Sequence, residues 1–213
     1  ILKEAKDAGN NLIAEAKVVQ AAASVEDRQQ FAPATARHEN LLLNRLLQAR
    51  QAEGRRDWAE ASRIYASLAD TTQFRSIVRS RLQITLSAWA QTQPDQARAL
   101  IAQLLQTSPA EPVLLLGYAQ CCLLLGDWGE PTDRGTQVNN MATALHAFEA
   151  AVAQAGGDPT LGPWTKAQCW NQAGKLDAAR NEVTRLLGIN GRHEGALVLR
   201  VQIELQAGDP ASL

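Results

Sequence analysis

The chain has 213 residues, with 21 Lys+Arg against 22 Asp+Glu for a formal net charge of -1, so no global field draws it to nucleic acid or to an anionic membrane surface. A hydrophobic fraction of 46% supports a continuous core, while aromatics at 5% and sparse strand-favouring residues point to an all-α chain and away from a β-rich one. No apolar run approaches the roughly twenty residues that span a bilayer, and no basic segment followed by an apolar core marks a leader.

The first predicted element is a long Ala-rich helix over Ile1 to Ser24, with Leu2, Ala5, Leu12, Ala16 and Val19 near one face. Ser24 to Asp27 cap a second helix, which Pro33 interrupts. Residues 1–40 are expected to be capping helices that cover the apolar flank of the helices after them, the alternative being a partner helix or a link to an upstream domain. The chain opens on Ile1, which suggests a piece of a longer protein.

From residue 41 onward the chain repeats itself. Four segments share one pattern: DWAEASRIYASLAD from Asp57, PDQARALIAQLLQTSP from Pro94, ATALHAFEAAVAQAGGDP from Ala142 and LDAARNEVTRLLGING from Leu176. Each has Ala, a bulky residue four on, and a small or apolar residue three further: Ala61/Tyr65/Leu68, Ala97/Ile101/Leu104, Ala144/Phe148/Ala151 and Ala179/Val183/Leu186. Steps of four and three put each triplet on one helical face. The first alanines are 36, 47 and 35 residues apart, so one unit is longer by about a dozen.

Upstream of each motif lies another amphipathic helix, ending in GRRDW, TQPD, LGDW or AGKLD. Ser108-Pro109-Ala110-Glu111 reads as a helix start, with Ser as N-cap, Pro at the first helical position and Glu three after the cap. Asp158-Pro159 and Asp209-Pro210 give the Asp version of that signal, the last announcing a truncated further helix over 209–213.

These helix pairs resemble the tetratricopeptide repeat family, whose units of about 34 residues fold as antiparallel helix pairs. Gly126-Asp127-Trp128 and Gly174-Lys175-Leu176 match its interhelical turn, Tyr118/Cys122 and Ala167/Trp170 its first-helix packing residues, and Pro109 its closing proline. In the first unit Gly54 is displaced from the turn, and in the second Thr92-Gln93-Pro94 lacks the turn glycine. The resemblance implies a right-handed α-solenoid, with about four helix pairs and a final helix over 41–208. The long third unit carries an insertion at about 129–141: Trp128 and Ala144 lie 16 apart where three would serve, an excess of 13. Pro131, Asp133 and Arg134 mark it as a polar loop at the hairpin tip, either a tolerated bulge or a specific contact.

Catalysis finds little support. His38, His146 and His193 have no second ligand at i+3 or i+4, which excludes HExxH-type metal chemistry; His146 reads as a partly exposed helix residue. Gly188 to Gly195 has glycines, but follows a helix and lacks a Lys-Ser/Thr pair, so it reads as a helix end and turn. Cys121, Cys122 and Cys169, without a Cys-x-x-Cys, argue against a disulfide framework or zinc site and lean towards a reducing, cytoplasmic setting. A non-enzyme without metal or cofactor is the expectation.

The resemblance also implies a concave groove lined by the first helices. Its register gives Leu43, Leu46, Arg50 and Glu53; Arg79, Leu82, Leu86 and Trp89; Val113, Leu116, Gln120 and Leu123; and Leu161, Trp164, Gln168 and Asn171. Chaperone-binding members hold a partner's terminal carboxylate with a first-helix lysine; Leu46, Leu82, Leu116 and Trp164 stand there, so that clamp is absent. What remains is an apolar floor with Trp89 and Trp164 as anchors, fringed by Arg50, Arg79, Gln120, Gln168, Asn171 and Gln172, a composition suited to a binding surface. A scaffold holding a peptide or helix of a partner protein, or another domain of the same chain, is the leading expectation. Trp58 and Trp170 are assigned to the core, while Trp89 is open between core and groove.

The alternative is the regulatory part of a larger enzyme. Cys121 to Trp128, the spacer and Trp164-Thr165-Lys166-Ala167 are similar to the FAT-type helical repeats of phosphatidylinositol-3-kinase-related kinases, which would make this a regulatory repeat domain of such a kinase. ATPase and protease parents stay equally open, as does a stability module with no ligand.

Overall fold

The computed structural model describes residues 41–69, 75–135 and 137–208. The capping helices expected over 1–40 and the helix start at Asp209 lie outside the described residues. The chain divides into two compact units, 1–47 and 48–213. In the first, residues 41–47 are helical. The second contains, among its described residues, only helices and turns: α1 over 48–54, α2 Trp58–Leu68, α3 Arg75–Thr92, α4 Pro94–Thr107, α5 Pro112–Leu125, α6 Met141–Gln154, α7 Leu161–Gln172, α8 Leu176–Ile189 and α9 Glu194–Ala207. From α2 to α9 each helix packs on the next, and α3, α5, α7 and α9 also pack each on its successor, the contact pattern of a solenoid of helical hairpins.

The second helices bury the faces their spacing predicts. Ala61, Ala97, Ala144 and Ala179 are wholly buried, with Tyr65, Ile101, Phe148 and Val183 one turn on. A larger side chain at any of these alanines would overpack the helix crossing, at about 1–3 kcal/mol. Leu104 departs from its triplet: it is half-buried, and Leu105 takes the core position. On the first helices Ala49, Ala119 and Ala167 form a small, buried series in which the second hairpin has Leu86. Gly117 makes room for that leucine, since a Cβ there would stand 3.1 Å from Leu86 Cδ1.

Three of the hairpin turns close in the same way. The backbone N–H groups of Asp57, Asp127 and Lys175 donate to the carbonyls of Ala52, Cys122 and Trp170, five residues back, each at 2.9 Å. Such a turn needs a left-handed residue just before the donor. Gly126 (φ 73°) and Gly174 (φ 71°) supply it, and Arg56 (φ 61°) takes the same conformation in the first hairpin. The second hairpin has no left-handed residue: Gln93 N–H donates to the Trp89 carbonyl four residues back, at 2.8 Å, and α4 begins at once with Pro94. Its turn is thus one residue shorter, and Trp89 is the counterpart of Ala52, Cys122 and Trp170.

Two helix starts differ from the sequence expectation. α5 begins at Pro112, not after Ser108, because Ser108 ends α4 with its N–H on the Leu104 carbonyl and Glu111 turns away to bind Arg79. Likewise Asp158 accepts from the N–H and hydroxyl of Thr160 in a short turn, and α7 starts only at Leu161.

The segment between Trp128 and Met141 leaves and re-enters the hairpin at one place. Met141 and Ala142 donate their N–H groups to the carbonyls of Asp127 and Trp128, at 3.1 and 3.0 Å. Asn140 caps α6 through Thr143 N–H in a reciprocal capping box, and its Nδ2 donates to Asp133, which also accepts from Glu130 N–H. Gly129 is required twice over: φ is 66°, and a Cβ would lie 2.5 Å from the Asn140 side chain.

Arg56→Gly should stabilise the domain by about 0.5–1 kcal/mol, because relief of the left-handed strain exceeds the added freedom of the unfolded chain; chemical denaturation reads this, and an unchanged or lower midpoint would contradict the strain argument. Excising residues 128–140, which joins Asp127 to Met141, should leave one cooperative unfolding transition with a loss of no more than about 2 kcal/mol. A broad, non-cooperative melt would show instead that the segment is integral to the hairpin.

Candidate functional site

The predicted groove residues fall into three groups. Leu82 and Trp89 are core residues, 0% and 4% exposed, so they are not floor positions of a first-helix groove. The reason is the short second turn, which advances the register of α3 by one residue, about 100° around the helix. Trp89 fills the packing position of Trp170, and its indole N–H donates to Gln93 Oε1 at 3.2 Å. Leu86 is buried for the same reason. The second hairpin's counterpart of Gln120 and Gln168 is thus Ser87, and that of Leu116 and Trp164 is Gln83.

A second group links neighbouring helices. Arg50 Nη1 bonds Glu53 at 2.6 Å, and Glu53 accepts from buried Thr85 at 2.6 Å. Arg79 bonds buried Glu111 at 2.5 Å, and Gln120 accepts from Ser87 at 3.0 Å. These side chains hold successive first helices together. The third group is open: Leu116 and Trp164 are half-buried, and Gln168 and Gln172 exposed. Trp164 leans on the His193 ring, centroids 5.1 Å apart, and lies so close to Gly195 that a Cβ there would be 2.9 Å from Cη2. Asn171 Oδ1 is buried without a hydrogen-bond partner. Trp170 is in the core, whereas Trp58 is only half-buried.

Pro131, Asp133 and Arg134 rim a separate cavity of about 230 Å³ over α6, α7 and α8. At its centre Glu149 bonds the buried Lys166 at 2.6 Å and also pairs with Arg185, which reaches Glu182 at 3.3 Å. This cluster was not visible in the sequence: Glu149 meets partners 17 and 36 positions away, with no local spacing to announce them. Burial alone would raise the Glu149 pKa, but the hydrogen bond and charge of Lys166, with Arg185, bring it below the ordinary value. Burial raises that of Glu182. Burial, then Lys166 and Arg134, lower that of His146, against the pull of Glu149. The cysteines are not reactive centres: burial raises the thiols of Cys121 and Cys169 to about 12 and of Cys122 to about 11.

The pH dependence follows from these directions. A histidine with a lowered folded pKa is stabilising in its neutral form, so its contribution is complete above the unfolded pKa and is lost as pH falls through that range. In the carboxylate range Glu149 acts in the same sense and Glu182 in the opposite one, so the histidine limb is the clean one. The domain should lose stability on acidification from neutral pH into the histidine range, and His146→Gln should flatten that limb; equal slopes in the two proteins would sink the assignment.

Residues 88–130 match the family model described as tetratricopeptide repeat. That stretch runs from the end of α3 through α4 and α5 to the third turn. No curated protein and no solved structure matches the chain. Among the described residues no helix is long and apolar enough to cross a membrane. Repeats of this family are typically non-catalytic interaction modules, and they suggest a protein–protein interaction scaffold. The matched repeat, the recurring alanine crossings and the consecutive packing of hairpins support a tetratricopeptide-type helical repeat domain.

Proposed function

We propose that the domain is a non-catalytic scaffold that holds a peptide or helix of a partner protein along the face shared by α5 and α7. The observation that carries this reading is the state of Trp164, an indole held in place by His193 and Gly195 yet left half-open, beside exposed Gln168 and Gln172. An ordered aromatic costs little entropy on binding, and its apolar area is the kind that dominates interface energies. Leu116 on α5 extends the apolar strip, and the amides offer donors and acceptors to a partner backbone. Arg50, Arg79 and Gln120 support this face by holding the helices in register.

The test uses peptides selected by display on the intact chain. Trp164→Ala should weaken them about tenfold or more, as expected of an anchor, while Glu60→Ala, at an exposed position of α2, leaves binding unchanged. Gly195→Ala should displace the indole and weaken binding without unfolding the domain. Peptides indifferent to both Trp164→Ala and Leu116→Ala would place the binding surface elsewhere.

A further inference from the structure

The hairpin edges offer an internal comparison. Trp58 and Trp128 each follow the aspartate that closes a turn, and each lies near the residue that starts the next second helix. At Trp128 that residue is Lys175, whose Nζ stands 5.7 Å from the ring centroid. At Trp58 it is Gln93, a neutral side chain turned towards Trp89. Beside Trp58 there is instead an open cavity of about 390 Å³, lined by both indoles and by Asp57, Gln93 and Gln96.

An indole face attracts a cation most strongly among the aromatic rings. The cavity adds a carboxylate: Asp57 uses Oδ1 to accept Glu60 N–H, and Oδ2 has no partner among the described residues. The Arg56 side chain, also in the lining, has none among them either, and its charge opposes a cationic guest. We propose that this cavity binds one lysine or arginine side chain of a partner protein, placed on Trp58 as Lys175 is placed on Trp128. The site uses none of the α5–α7 residues and does not rest on the reading of that face.

The probes are three blocked tripeptides, Gly-Xaa-Gly with lysine, norleucine or glutamate at the centre, titrated into the intact chain while the indole N–H resonances of Trp58 and Trp89 are followed. The lysine peptide should shift Trp58, and norleucine, which has the same carbon chain without the charge, should not. Gln93→Lys places a tethered ammonium over Trp58 and should weaken the lysine peptide about fivefold or more, whereas Gln93→Met, similar in size and neutral, should not. Arg56→Gly should strengthen binding. Equal shifts with norleucine would reveal an apolar pocket only, and a glutamate response lost in Arg56→Gly would reveal an anion site. Either result, or a Trp58 resonance indifferent to the lysine peptide, overturns the proposal.

Discussion

One hydrogen bond in each turn sets the rotational phase of a hairpin: the N–H of the residue that closes the turn donates to a carbonyl in the last turn of the first helix. Where the donor reaches five residues back, a left-handed residue must precede it, and Gly126, Gly174 and the strained Arg56 fill that place. Where Gln93 reaches only four back, the left-handed residue is missing and the first helix is rotated by one position. That rotation puts Leu86 where other hairpins have alanine, and Gly117 of the following helix yields the space. A turn one residue shorter is thus matched by different side chains on two helices.

Between hairpins the order is held by polar pairs about one repeat apart: Glu53 with Thr85, Arg79 with Glu111 and Ser87 with Gln120, separated by 32, 32 and 33 positions. Apolar packing is non-directional and tolerates small slips. A buried carboxylate such as Glu111 is destabilising unless its partner is in reach, so such pairs favour one alignment even where their net contribution to stability is small. They also engage side chains that would otherwise face outward. Arg50, Arg79 and Gln120 are engaged within the fold in this way.

The second helices were legible from sequence because their alanine triplets follow the helical period, which local residues alone create. The Gly-containing turns were legible for the same reason. Trp89 was not: its burial depends on how many residues close the turn after it, and a missing glycine signals a departure without saying which way the helix rotates. Ser108-Pro109-Ala110-Glu111 misled because its glutamate had two partners, the local N–H and the distant Arg79, and the ion pair prevailed. The charged cluster at Glu149 had no local signature at all. Trp164, assigned from sequence to the first-helix face, is half-buried on α7, in a hairpin where Lys175 keeps the longer turn.

The long segment after Trp128 shows why a repeat can lengthen without losing its place. Its ends meet through Met141 and Ala142, so the hairpin on either side retains the turn bond from Asp127 to Cys122 and the cap on α6. Closing a longer loop costs only about 0.6 kcal/mol per doubling of length, and the Asn140–Asp133–Glu130 contacts restrict the loop further. The residues it adds lie over charges drawn from three helices, and its base begins at the indole that Lys175 covers. Among the described residues the corresponding indole of the first hairpin has no such loop and no such cation over its ring. Repetition supplies the same frame at both edges, and the residues that break the repetition make those edges chemically different: one has the chain's own lysine over its ring, the other a half-buried indole that lines an open cavity beside a carboxylate.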